Sequence, residues 1–381
     1  MTNNSTASTF AEQWRNPNGF LSLLMIIGPI IQSALAQLTG PFFVPICFSF
    51  GWASYAFSAI SAVARDGRLM PAADHACKVI NLDNGYARAN RSWIIGRLLR
   101  DLEKSISNEA LLVEIYEASE PPNGYILAGK SRWFALGAIL VQIGISIIPF
   151  ALSGDWGIFI ITMLGTCLAI ATAALPQWRV EKLACRARSE KKVAITTGNG
   201  SRYIMVIIGK ENCLDIEDLA AGEGPPFKEY TKDEEQGKRA ANRASSGEIM
   251  KPYTKKLGLR KEVKLFRGLP IDFWLTRLFC GIFALVWAVV LILVLALKKN
   301  AWYLAAVGTV GMSQNAIVAA ASLNPEARGF HLKKDRVMIG DKVMDVLMEL
   351  DGSEPGCGRS SLKEFFPAGL DIPYDRGEKD W

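Results

Sequence analysis

Histidine is almost absent from this 381-residue chain, which holds only His75 and His331. That scarcity excludes histidine-box iron chemistry. His75 lies two residues before Cys77, but a zinc site needs three or four ligands and no further cluster has that spacing. The seven cysteines include no CxxC pair and read as reduced thiols. GxSxG, HExxH and Walker-type motifs are missing, and with them the usual sequence signals of serine hydrolases, zinc proteases and nucleotide-binding enzymes. Gly198-Asn199-Gly200 lacks the following helix with Lys and Ser or Thr that a phosphate loop requires, so it reads as a turn. No catalytic residue, metal ligand or cofactor is assigned.

Charge is missing in a second sense: residues 16–64 contain no Asp, Glu, Lys or Arg. A helix needs ~20 residues to cross ~30 Å of hydrocarbon, so this run predicts two crossings, 20–38 and 42–63, folded back near Leu38-Thr39-Gly40-Pro41. Two further apolar hairpins follow. One is 133–152 with 156–176, split by Ser153-Gly154-Asp155; the other is 273–297 with 301–323, split by Lys298-Lys299-Asn300. Pro29 and Pro45 interrupt the first pair, and the freed backbone groups must then be met by neighbouring helices or a wet cavity. Small residues at four-residue spacing, Gly165, Ala169 and Ala173 in one helix and Ala305, Thr309 and Ser313 in another, predict close-packing ridges.

The expected fold class is an α-helical polytopic membrane protein, with six transmembrane helices in three hairpins and a small cytoplasmic α+β domain built from two internal loops. The divisions are a tail over 1–19, hairpins over 20–63, 132–176 and 273–323, soluble segments over 64–131 and 177–272, and a tail over 324–381. The N-terminus has no basic region before its apolar run, so no cleaved signal peptide is expected. Nearly all of the 43 Lys and Arg fall in the tails and soluble segments, and basic residues flank the helices at Arg65, Arg68, Lys130, Arg132, Arg179 and Arg267. The positive-inside rule then puts both termini in the cytoplasm, with the plasma membrane or an endomembrane as the location. Trp133, Trp156, Trp178, Trp274 and Trp302 sit at predicted membrane edges. Lys and Arg are interleaved with acids at a net charge of +6, so the partners expected are the lipid bilayer and a cytosolic protein, and no nucleic acid.

The soluble segments carry their own signals. Residues 77–82 read as a strand running into the turn Asp83-Asn84-Gly85, 92–104 as an amphipathic helix, and 111–116 as a second strand. Residues 192–196 and 203–208, joined across Gly198-Asn199-Gly200, have the pattern of a β-hairpin. A lone hairpin is marginal in water, so the strands of the two segments are expected to share one sheet. Residues 223–256 read as a mobile loop, and 335–350 as an amphipathic helix. Within the spans the polar side chains include Gln142, Gln314 and Asn315, which are candidates for a narrow polar path as well as for interhelical hydrogen bonding. Arg277 is expected to reach the interface, and Cys185 is a candidate for S-palmitoylation. No carboxylate is deep in a span, so the usual relay of a proton-coupled transporter is missing.

Several strings are long enough to carry a resemblance: LTGPFFVPICFSFGWASYAFSA (38–59), GRLMP (67–71), CKVINLDNGYARANRSWIIGRLLRD (77–101), LPQWRVEKLACR (175–186), TGNGSRYIMVIIG (197–209), LDIEDLA (214–220) and GMSQN (311–315). Through them the chain resembles a family of multi-pass membrane proteins of filamentous fungi that has no assigned activity. The resemblance implies a membrane fold and transfers no catalytic residue. The function expected is that of a non-catalytic membrane anchor or adaptor with a cytoplasmic interaction domain. The alternatives are a transporter or channel for a neutral or weakly polar solute, and a membrane-bound enzyme whose site lies in the soluble domain.

Overall fold

The computed structural model describes residues 28–39, 44–65, 67–103, 110–119, 129–185, 189–210, 213–222, 265–266, 269–297 and 299–367. In chain order the helices are α1 Gly28–Leu38, α2 Gly51–Arg65, α3 Trp93–Glu103, α4 Gly129–Ser153, α5 Gly157–Ala173, α6 Pro176–Lys182, α7 Ile216–Ala221, α8 Ile271–Ala296, α9 Ala301–Ala320, α10 Val343–Ser353 and α11 Cys357–Phe365. The strands are β1 Lys78–Asn81, β2 Ala87–Ala89, β3 Leu111–Ala118, β4 Lys192–Thr196, β5 Tyr203–Gly209, β6 Leu265–Phe266, β7 Leu269–Pro270 and β8 Leu332–Gly340. The chain divides into two compact units, each assembled from three separate stretches. Met1–Pro71, Leu127–Lys182 and Lys264–Ala321 make the apolar unit; Ala72–Ile126, Leu183–Val263 and Ser322–Trp381 make the sheet unit.

In the apolar unit the expectation of six crossings is corrected. Among the described residues two helices are long and apolar enough to cross a membrane, over Trp133–Ser153 and Phe273–Ala296. A third crossing is available if α5 and α6, bent by 43° at their junction, are taken as one span. Freedom from charge is not the same as helical reach. The 15 residues of α2 rise only about 22 Å. Residues 44–49 lie in neither helix nor strand. In α9, Gly308, Gly311, Ser313, Gln314 and Asn315 dilute an otherwise apolar helix. The expected ridge of Ala305, Thr309 and Ser313 is also displaced: Thr309 and Ser313 are exposed, and the packed face of α9 carries Leu304, Val307, Gly308, Gly311 and Asn315. Trp133, Trp156 and Trp302 are exposed at helix ends, whereas Trp178 is buried. Arg277 lies over the ring of Trp274, 5.1 Å from its centroid.

The sheet unit is a six-stranded mixed sheet in the order β2-β1-β4-β5-β3-β8, with β3 and β5 parallel and every other pair antiparallel. The expected shared sheet is present, and it recruits a strand from the tail as well. Residues 335–350 are not one helix. Val337 and Ile339 alternate with buried Met338, the period of a strand, and β8 pairs along β3 before the chain turns into α10. The turns follow from local chemistry. Asn81 Oδ1 accepts from the Asp83 N–H at 3.0 Å, Asn84 Oδ1 accepts from the Tyr86 N–H at 2.9 Å, and Gly85 takes a φ of 71°. Gly198 and Gly200 hold φ values of 102° and 86° in the β4–β5 turn. Ahead of α3, Asn90 Oδ1 accepts from the Ser92 N–H, and the Ser92 carbonyl takes the first helical bond from Gly96. The stretch 223–256 lies outside the described residues.

One face of the sheet is closed by α10 and α11, where Val346, Leu347, Leu350 and Phe365 pack on Ile80, Val113, Ile115, Ile204 and Val206. Beyond the sheet, Asp101 on α3 is buried between two cations. It accepts from Arg100 and Arg328, and its second oxygen also takes the Leu323 N–H at 3.1 Å. On the face of β3 opposite α10, Glu114 accepts hydrogen bonds from Tyr203 at 2.8 Å, from Tyr116 and from Lys334. Burial pushes this carboxyl up, but the three hydrogen bonds and the Lys334 charge outweigh it and hold its pKa below the usual 4.5. Stability from this group is therefore complete above pH 4.5 and is lost as pH falls through the depressed folded value. Hydrogen exchange on the full chain should show β3, β5 and β8 losing protection on acidification in that window. Glu114→Gln should already be less protected at neutral pH and should not show that acid step.

Candidate functional site

The stretch 44–50 lies in neither helix nor strand, and its residues are all buried. Pro45 stops a helix from running through Val44 into it: the ring removes an N–H donor and biases Val44 away from helical angles. Between two apolar helices such a stretch exposes carbonyls that neither helix nor sheet satisfies. In hydrocarbon those groups cost several kcal/mol each unless the protein meets them.

Side-chain amides meet them. Gln142 Nε2, on α4, donates to the carbonyls of Phe48 at 2.7 Å and Val307 at 2.8 Å. Asn315 Nδ2, on α9, donates to the Cys47 carbonyl at 3.4 Å and to Ser49 Oγ at 3.1 Å. Trp52 Nε1 adds a second bond to the Cys47 carbonyl at 2.9 Å. Glycines admit the stretch. A Cβ on Gly311 would stand 1.8 Å from the Phe48 carbonyl oxygen, and one on Gly308 would stand 1.9 Å from the Phe50 ring. Aromatic rings then close over it, with Trp287 of α8 stacked between Phe48 and Trp52 at centroid distances of 6.0 and 6.1 Å.

Gln142 and Asn315 are thus brought to one place, but by hydrogen bonds that hold backbone. Gln314 is buried beside them and neither of its amide atoms has a partner; Gln142 Oε1 and Asn315 Oδ1 are likewise unpartnered. A cavity of about 230 Å³ lies against this cluster, lined by Ile30, Ile31, Ser49, Met312, Ser313 and Asn315 among others. Sequence reasoning singled out the amides and missed their targets. The available signal was Pro45 in a chargeless run together with the pair Gly308 and Gly311. Cys185, the lipidation candidate, is buried at 5 % exposure, so acylation would require its segment to open.

A second polar knot ties residues 67–71 to α6. The N–H groups of Leu69 and Met70 donate to Glu181 at 2.7 and 2.8 Å, and Gln177 donates to the Gly67 carbonyl at 2.7 Å. Lys182, buried, donates to the Gln37 and Thr39 carbonyls at the end of α1. In the sheet unit His75 pairs with Glu103 at 3.2 Å. Cys77 is buried, and desolvation pushes its pKa up to about 11, which keeps it a protonated thiol. Among the described residues no three His, Cys, Asp or Glu side chains converge on a metal-holding site.

No protein-family model matches the chain, and searches of curated proteins and of solved structures likewise find no match. Function has to be argued from the geometry alone.

The amide latch gives a direct test. Gln142→Leu leaves the Phe48 carbonyl buried without that partner and should lower the stability of the detergent-solubilised protein by about 1–3 kcal/mol. Gly311→Val should prevent folding, because the backbone of Phe48 has nowhere to move. Thermal unfolding and size-exclusion profiles measure both, and a Gly311→Val protein of native stability would show that the stretch 44–50 is misplaced.

Proposed function

We propose that the chain is an integral membrane anchor that holds its α/β unit on the cytoplasmic side, where this unit binds a cytosolic protein. It belongs, in this reading, with the fungal membrane proteins whose strings it shares. What supports the reading is strand β8. It is nine residues long and lies at the sheet edge, paired only with β3 among the described residues, and it leaves Val337 and Ile339 44 % and 50 % exposed. An unpaired edge with apolar side chains beside it is the surface to which an extended segment of a partner adds as a further strand.

The sheet also constrains the number of crossings. A hydrogen-bonded sheet lies on one side of a bilayer, so an even number of crossings must separate β3 from β5, and β5 from β8. If α4 crosses, α5 with α6 is its return; if α8 crosses, α9 must return despite its polar residues. Four crossings result, with the turns at Asp155 and at residues 298–300 facing the opposite side. The alternative of a path for a neutral solute draws on Gln314 and on the unpartnered acceptors Gln142 Oε1 and Asn315 Oδ1, since the Nδ2 and Nε2 donors of Asn315 and Gln142 are committed to residues 47–49 and Val307.

Acceptor sequons test the topology. Asn199, exposed in the β4–β5 turn, and Asn90 should remain unglycosylated in a fungal host, whereas acceptors engineered into lengthened turns at 155 and at 298–300 should both be modified. Modification at 155 without 298–300 would remove the fourth crossing, and modification at Asn199 would invert the orientation. A photoreactive residue at position 339 should give one discrete protein adduct in cells, lost in Val337→Asp. The same adduct from exposed position 359 would show that β8 is not the docking edge.

A further inference from the structure

We infer that the cavity beside Asn315 is a binding site for a small, neutral, mostly apolar molecule carrying one hydroxyl group. The cavity lies within the apolar unit, bounded by α1, the residues entering α2, and α9. Most of its wall is Ile30, Ile31, Met312 and Ala316, and among the described residues no charged side chain lines it, so an ion entering it would be desolvated without compensation.

Of its three polar lining side chains Ser313 is exposed, whereas Asn315 and Ser49 are buried side by side and have hydrogen-bonding capacity unequal to their partners. The Asn315 amide is oriented by the Cys47 carbonyl and Ser49, which take its Nδ2 donors; turning it over would set Oδ1 against a carbonyl oxygen. Oδ1 is consequently an acceptor with no donor, on a side chain only 1 % exposed. Ser49 Oγ has accepted from Asn315 and still carries a proton to give. One acceptor and one donor side by side match a hydroxyl, which donates to Asn315 Oδ1 and accepts from Ser49. Buried polar atoms in folded proteins nearly always have partners, and an apolar ligand alone would leave Oδ1 without one. On size, a cavity of about 150 Å³ holds benzene, so about 230 Å³ suits roughly nine non-hydrogen atoms. The site is independent of whether the α/β unit binds a protein.

The probes are 4-ethylphenol and 4-ethyltoluene, which match in size and differ by a hydroxyl against a methyl. Each is titrated into the full-length protein in detergent while the unfolding midpoint is followed. A ligand bound to the folded state raises that midpoint saturably, whereas partition into micelles acts alike on every variant. The expected result is half-saturation by 4-ethylphenol at about tenfold lower concentration than by 4-ethyltoluene. Ala316→Phe, which fills the cavity, should respond to neither, and Asn315→Leu should respond to both equally. Should Asn315→Leu fail to fold, Ser49→Ala serves, with a reduced preference for the phenol. Equal half-saturation in the native protein, or an unchanged response in Ala316→Phe, overturns the proposal.

Discussion

A peptide carbonyl buried in an apolar surround has to be hydrogen-bonded, and the architecture of the apolar unit follows from meeting that demand at residues 47 and 48. The stretch there forms neither helix nor strand, so the carbonyls are not satisfied within their own segment. They draw in Gln142 from one helix and Asn315 from another. The second of those helices must then approach the stretch closely, which Gly308 and Gly311 allow, and the remaining space is taken by the stacked rings of Phe48, Trp287 and Trp52. Polar side chains within apolar helices are commonly read as a path for solutes. Here the donors of Gln142 and Asn315 are spent on holding an irregular backbone, and what is left over is acceptor capacity on those two amides and the whole amide of Gln314.

The sheet unit solves a different problem, that of joining strands separated by long stretches of other structure. β3 and β5 are parallel neighbours although two apolar helices intervene in the chain, and β8 arrives only after two more. Ion pairs reinforce these distant junctions: Lys192 with Glu354, Lys78 with Glu364, Arg328 with Asp101 and Lys334 with Glu114. The Arg328 and Asp101 pair is nearly fully buried, where removing one partner is far more disruptive than losing an exposed pair. The half-covered face near Val337 and Ile339 is where this closure is incomplete, and it is the part of the unit open to another chain.

Local elements were legible in the sequence where local chemistry decides them. The β4–β5 hairpin, the Asp83-Asn84-Gly85 turn, helix α3 and the pair α4 and α5 lie close to where periodicity, glycine and asparagine put them. Crossing number was not legible from charge, because freedom from charge does not set helix length: in the described part of the run, α2 has 15 residues and residues 44–49 lie in neither helix nor strand. β8 was hidden for another reason. Its residues 335–340 carry enough apolar content to join the next helix by eye, and only pairing with β3 makes the two-residue period decisive. The amides were visible as residues but not as a site, since their partners are backbone atoms more than ninety positions away.

The order of strands along the chain also bears on biosynthesis. β3 leaves the ribosome with neither of its neighbours yet made; β5 follows some eighty residues later, and β8 only after every apolar helix has been synthesised. Until β5 is made both of its edges stand bare, and until β8 is made one still does. A nascent chain in this state is open to mispairing, so the protein depends on whatever shields an unfinished sheet at the membrane during translation.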